Sequence, residues 1–207
     1  MGKQKKYIKR AFIALLKEQS IHKISVNSLT KKADVSRSCF YTYYSDKFEL
    51  LDEIELELIT KFTHIMKGLR NKSADYFFNC IEDSHYPVYD TYFHYIEEHR
   101  DILSVLLSPT SETNFTFRFM TAIAKTRKET LLYWNISIKD DPFDMFNENL
   151  LASSYVSTFK TWLDNDCQPN ATKMGHYLSS LWRPGFFYSD EQYQEAIKYN
   201  LNKKRTR

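Results

Sequence analysis

The sequence predicts an all-α chain: an N-terminal three-helix head carrying a helix-turn-helix, and a larger helical body behind it. Three observations carry that prediction. Glycine and proline are sparse, 4 and 5 in 207 residues, too few for a fold with many tight turns between strands. Apolar residues recur mainly three and four positions apart, the helical interval. Residues 25 to 47 read as two short helices joined by a tight turn, then a second turn and the start of a long helix.

The elements follow in order. Residues 5 to 19 form the first helix, with Ile8, Phe12, Leu15 and Leu16 as its buried stripe. Lys3, Lys5, Lys6, Lys9 and Arg10 crowd its beginning. Positive charge there opposes the helix dipole, so helix stability does not explain it; contact with phosphates does. After a short connection at 20 to 24, Ser25 caps a second helix whose apolar stripe is Val26, Leu29 and Ala33. Asp34 occupies the turn, where the backbone needs a residue that tolerates the left-handed region. Val35 plugs the turn and Ser36 caps the third helix. Phe40 and Tyr44 face the core, which leaves Arg37, Ser38, Cys39, Tyr41 and Tyr43 on or near the exposed side.

Asp46 and Glu49 form a capping box that launches a long helix over 47 to 69, with Leu51, Ile54, Leu58, Phe62, Ile65 and Leu69 on its apolar side. Residues 70 to 75 break it. The body carries helical patterns at 75–83, 87–107, 112–137, 143–165, 170–183 and 189–201, separated by Pro- and polar-rich loops. The domain division is 1–48 for the head and 49–207 for the body.

Charge divides along the same line. Residues 1 to 49 hold 11 Lys and Arg against 4 Asp and Glu, a surplus of seven. The remainder holds 18 against 22, a deficit of four, and the total is +3. A basic head on an acidic body suits a protein that places only its head on a polyanion. A solvated lysine-rich terminus is the plainer reading, and the attached helix-turn-helix favours DNA.

Other chemistries find no support. The sequence has no phosphate-binding Gly-rich loop, dinucleotide fingerprint or Gly-x-Ser-x-Gly elbow. His94 and His99 are five apart, the wrong spacing for two ligands on one helix face. Cys39, Cys80 and Cys167 are odd in number and widely separated, which suits reduced thiols. No catalytic residue, metal or cofactor is expected. The apolar run Ala11 to Leu16 is too short for a membrane span or signal peptide, so a soluble, cytoplasmic protein is expected.

Over residues 5 to 60 the chain resembles the TetR family of transcriptional regulators. The resemblance rests on the helix-turn-helix, the run Phe40-Tyr41-Thr42-Tyr43-Tyr44-Ser45-Asp46-Lys47 and the following Glu49-Leu50-Leu51. It departs at Thr30, where the family usually has Ala, and at Asp34, where it usually has Gly. The resemblance implies a ligand-responsive regulator, most often a repressor, bound as a homodimer to a near-palindromic operator on double-stranded DNA. Arg37, Ser38 and Cys39 would face base edges. Tyr41, Tyr43 and Lys47 would hold the phosphate backbone, with Ser25, Asn27 and Ser36 around the helix starts.

Aromatic residues make up 16% of the chain. Phe62, Tyr89, Tyr92, Phe93, Phe117, Trp134, Tyr155 and Phe159 are the expected lining for a small-molecule effector; ordinary core packing is the alternative for each. Leu150, Leu151, Tyr155, Phe159, Trp162 and Leu163, followed by Met174, Tyr177, Leu178, Leu181 and Trp182, resemble the family's closing helix pair, with Phe159, Trp162, Met174, Leu178, Leu181 and Trp182 as the expected interface. By resemblance that pair makes the dimer interface, with an intrachain core as the alternative. An activator, a regulator answering to a partner protein, and more remotely a helical enzyme or scaffold with an incidental basic head remain open.

Overall fold

The computed structural model describes residues 2–73, 86–135 and 142–181. The helices expected at 75–83 and 189–201, and Trp182, lie outside these. Every regular element among the described residues is helical: α1 (Lys3–Glu18), α2 (Val26–Ala33), α3 (Arg37–Tyr41), α4 (Lys47–Lys67), α5 (Pro87–Glu98), α6 (Arg100–Leu106), α7 (Phe115–Tyr133), α8 (Pro142–Asp164) and α9 (Ala171–Leu181), with 3-10 turns at Ile21–Lys23 and Gly68–Asn71. No described helix is long and apolar enough to cross a membrane.

The chain packs as two units. The first comprises Met1–Lys61 and His99–Arg118; the second comprises Phe62–Glu98 and Phe119–Arg207. Thus α4 passes from one unit into the other between Lys61 and Phe62, and the first unit takes in a segment well beyond the head expected at 1–48.

In the first unit α1 buries Ile8, Ala11, Phe12 and Leu15 and packs on α2, α3 and α6. From α6 come the buried Ile102, Leu103 and Leu106. The single helix expected over 87–107 is therefore two. His99, at φ −106° and ψ 18°, leaves helical geometry at the point where the chain changes unit. Hydrogen bonds fasten this returning segment to the head: Lys17 Nζ donates to Asp101 at 2.6 Å and Ser20 Oγ to Glu112 at 2.5 Å.

In the second unit α9 lies on α5 and α8 also contacts α5. A close approach requires glycine at 175. A Cβ there would fall 1.8 Å from Asp90 Oδ1 and 2.8 Å from the Asp90 nitrogen. One turn on, the buried Ser179 hydroxyl accepts the Tyr86 N–H at 2.9 Å and donates to the Gly175 carbonyl at 2.8 Å.

Candidate nucleic-acid interface

The helix-turn-helix is built as its residues predict. The Ser25 hydroxyl accepts the Ser28 N–H at 3.0 Å, and Ser28 returns the bond to the Ser25 N–H, a reciprocal box that starts α2. Asp34 sits at φ 53°, ψ 49°, the left-handed turn that its short polar side chain tolerates. Thr30 is buried with its hydroxyl on the Asn27 carbonyl at 3.2 Å, so α2 accommodates the larger residue. Ser36 caps α3 by accepting the Cys39 N–H at 3.0 Å.

With Phe40 and Tyr44 buried, the periodicity of α3 turns Arg37 and Ser38 outward, with Cys39 half-buried. Arg37 has no hydrogen bond or ion pair among the described residues. Asn27 and Tyr41 are also exposed, and Tyr43 is half-buried. The start of α1 lies beside Tyr43: a Cβ on Gly2 would sit 3.2 Å from the Tyr43 hydroxyl.

Asp46 caps α4 through the N–H groups of Phe48 and Glu49, at 2.8 and 2.9 Å. The expected partner bond is displaced by one residue: Glu49 accepts from the nitrogen and hydroxyl of Ser45, at 2.6 and 2.8 Å. Those two bonds hold the Glu49 carboxyl below its ordinary value.

Two expectations about charge are corrected. Lys5 and Lys9 are not free for phosphates. Lys5 Nζ pairs with Glu53 at 2.6 Å, and the buried Lys9 pairs with Glu53 and, at 2.7 Å, with Glu57. Burial opposes ionisation of Glu53, but its bonds and charge contacts with the two lysines outweigh burial and lower its pKa. Lys3, Lys6 and Arg10 form the remaining exposed basic stripe of α1. Lys47 is half-committed: Nζ donates to the carbonyls of His22 and Ile24, at 3.1 and 2.7 Å, holding the loop that leads into α2. One of its three protons remains.

Sequence reasoning missed Glu53, which also accepts the Tyr44 hydroxyl at 3.2 Å. Burial, then the Glu53 charge, pushes that phenol far above its ordinary value. A signal existed: Lys5 and Lys9 on α1, and Glu53 and Glu57 on α4, are both four apart, a complementary ladder for two packed helices.

The effector and dimer residues fall differently from expectation. Phe62, Tyr89, Tyr92, Phe93, Tyr155 and Phe159 are joined in one aromatic network in the second unit. Phe62 meets Phe119 edge-on at 4.9 Å, Phe93 meets Phe159 at 5.3 Å and Trp162 at 5.0 Å, and Tyr155 donates to the Tyr89 hydroxyl at 3.2 Å. Phe117 does not join them. It belongs to the first unit and is 70% exposed, because Phe115 and Phe119 take the inward face of α7 and Phe117 falls between. Trp134 is half-buried past the end of α7 and donates to the Lys72 carbonyl at 3.0 Å.

Four of the six residues expected at the dimer interface have their packing within their own chain. Phe159, Trp162, Met174 and Leu178 are buried within their own chain, Phe159 and Leu178 completely, so their burial needs no second subunit. Leu181 ends α9, with its side chain outside the described atoms. The outward faces of α8 and α9 instead carry Phe146, Leu150 and Tyr177, the last two 51% and 52% exposed.

No described cluster of His, Cys, Asp and Glu has metal-ligating geometry. Comparison with known proteins gives a consistent picture. Residues 9–54 match the bacterial regulatory proteins of the TetR family, and residues 83–183 match a transcriptional regulator C-terminal region. The chain is 29% identical over 105 residues to the uncharacterized HTH-type transcriptional regulator YxbF of Bacillus subtilis (strain 168), covering 49% of this chain and 26% of that one. It is 29% identical over 107 residues to YvdT of the same organism, covering 52% of each. The chain thus spans about a quarter and about half of the curated relatives it matches. A TetR transcriptional regulator from Streptococcus agalactiae 2603V superposes with a TM-score of 0.58 at 28% identity, covering 87% of this chain and 94% of that one.

Proposed function

The chain belongs to the TetR family of transcriptional regulators, a family of DNA-binding regulators and not of enzymes, and from that premise we propose that it is a ligand-responsive repressor binding a near-palindromic operator as a dimer. The observation that carries the reading is α3. Its exposed side offers the Arg37 guanidinium, unpaired among the described residues, beside Ser38 and the half-buried Cys39, on a helix anchored by the buried Phe40. Arg37 pairs with the two acceptors of a guanine edge in the major groove. Tyr41, Tyr43 and the remaining proton of Lys47 take phosphates, which set register without reading sequence. The Ser36 hydroxyl accepts a cap bond and adds a donor at the start of α3. The Ser25 hydroxyl accepts the Ser28 N–H and gives its proton to Ser28 Oγ at 3.1 Å, so it reaches a phosphate by exchanging that partner, beside Asn27 and the Lys3, Lys6 and Arg10 stripe.

Residues 1–48 form the proposed DNA-binding domain and 49–207 the effector and dimerisation domain. Two heads separated by one helical repeat, about 34–36 Å, reach successive major grooves. The proposed two-fold surface is the outward face of α8 and α9, around Leu150 and Tyr177, which replaces the buried residues first expected there. A small-molecule effector parts the ring contacts of the aromatic network. It shifts DNA binding only if it binds the two states unequally.

Selection from a random duplex library tests this reading. The parent protein recovers a near-palindromic consensus. Arg37→Ala loses the preference at one base position per half-site and about 1–3 kcal/mol of affinity. An unchanged consensus of unchanged information content removes Arg37 from base readout, and recovery of no consensus at all defeats the operator proposal.

A further inference from the structure

A recognition helix of five residues, Arg37–Tyr41, cannot hold its own geometry. Helix nucleation is unfavourable, and isolated helices shorter than about 12–15 residues are marginal in water. The orientation of α3 is therefore imposed from outside. Its start is fixed by the Ser36 cap and the left-handed Asp34. Its end is fixed by two aromatic side chains: Phe40 packs in the core, and Tyr44 continues the chain to a carboxylate on α4.

That carboxylate is Glu53. Its Oε1 accepts the Tyr44 hydroxyl at 3.2 Å, and its Oε2 lies 2.6 Å from Lys5 Nζ. Lys9 pairs with Oε1 as well, and Lys5 Nζ also sits 5.3 Å from the centre of the Tyr44 ring. One side chain thus joins α1, the exit of the recognition helix and the long helix α4. We propose that Glu53 is a positioning residue for sequence readout. By gathering Tyr44, Lys5 and Lys9 it fixes the angle at which α3 presents Arg37, Ser38 and Cys39.

Base edges and phosphates respond differently to a loss of that angle. A bidentate base contact tolerates little displacement, whereas phosphate contacts repeat along the duplex and long flexible side chains follow them. Release of Glu53 therefore costs discrimination first. It also frees the Lys5 ammonium, whose ion pair is with Glu53, while the buried Lys9 keeps Glu57; the added free charge helps binding to any duplex. The inference rests on the operator-binding reading above, and the experiment separates the two.

Affinity is measured for the selected duplex and for a scrambled duplex of equal length, with the parent, Glu53→Gln, Tyr44→Phe and the double variant. Tyr44→Phe keeps the buried ring and removes only the hydroxyl. Each single change lowers the selected-to-scrambled affinity ratio about tenfold, the size of one hydrogen bond to a charged group, and the double variant loses no more than either alone. Affinity for the scrambled duplex holds or rises with Glu53→Gln. A parent that does not distinguish the duplexes overturns the operator reading itself. A parent that does, with a ratio untouched by Tyr44→Phe, overturns the role of Glu53, even should Glu53→Gln fail to fold. Multiplying single effects, or equal losses on both duplexes tracking lost helical circular dichroism, overturn it too.

Discussion

Replacing Gly175 by alanine tests the closest helix contact in the second unit. The new methyl meets Asp90 Oδ1 at 1.8 Å, Cγ at 2.9 Å and the backbone nitrogen at 2.8 Å. The carboxylate can swing aside; the nitrogen cannot. α9 must retreat by roughly 0.6 Å, the difference between 2.8 Å and an ordinary 3.4 Å contact. That retreat lengthens the Ser179–Tyr86 bond one turn away, a buried N–H whose loss costs about 1–3 kcal/mol. Overpacking itself costs about 1–3 kcal/mol. Against both stands a helix-propensity gain of about 1 kcal/mol for alanine over glycine. The balance is a destabilisation of about 3 kcal/mol, read as a lower urea midpoint by far-UV circular dichroism. Gly68→Ala is the control, since a Cβ at Gly68 meets nothing within 4 Å. Equal stability of the two variants refutes the reasoning.

Other perturbations follow from the same contacts. Lys47→Ala removes two charge-assisted bonds to the His22 and Ile24 carbonyls; it lowers the thermal midpoint and weakens binding to all duplexes alike, and an unchanged midpoint contradicts the staple. Leu150→Glu gives a folded monomer by sedimentation, whereas Leu178→Glu, a charge at a fully buried position, unfolds the chain; a folded Leu178→Glu monomer restores the interface first expected. Glu53 and Glu55 pull acid stability in opposite directions. The pKa of Glu53 is lowered, so its contribution is present above the ordinary 4.5 and lost as pH falls through the depressed value. Burial raises the pKa of Glu55 despite the Arg118 charge, so its contribution is present below 4.5 and lost as pH rises through the raised value. Acid titrations read by circular dichroism should flatten with Glu53→Gln and steepen with Glu55→Gln.

The head was legible because its signals are local. Ser25, Asp34 and Ser36 act within three residues of themselves, and the stripes of α1 and α2 repeat within one turn. The break at His99 was not legible. Tyr95, Ile96, Ile102, Leu103 and Leu106 keep helical spacing across it, and no Gly or Pro marks it. The neighbours of the closing helix pair were not legible for a related reason. Periodicity separates a helix's apolar face from its polar one but does not name the neighbour, and Trp162 and Leu178 find theirs in the same chain. Phe117 was misread as lining because aromatic content was counted without phase: at 117 it is two residues from each of the inward Phe115 and Phe119. Lys5, Lys9 and Glu53 meet across more than forty residues, a distance at which only the fold introduces them.

The Glu53 cluster has a consequence for the ionic atmosphere of DNA. Eleven basic residues lie in the first 49, yet five are engaged inside the protein: Lys5 and Lys9 by Glu53 and Glu57, Lys17 by Asp101, Lys32 by Glu18, and Lys47 by carbonyls. Lys3, Lys6, Arg10, Lys23, Lys31 and Arg37 remain without an ion pair among the described residues. Each phosphate neutralised expels condensed counterions worth about 0.9 in the slope of log affinity against log salt, so these six cations together with Lys47, whose carbonyl partners leave its charge and one proton for a phosphate, cap a head at a slope of about 6, where eleven would give about 10. A head wired this way releases random duplex readily at cellular ionic strength, and it leaves the choice of site to geometry.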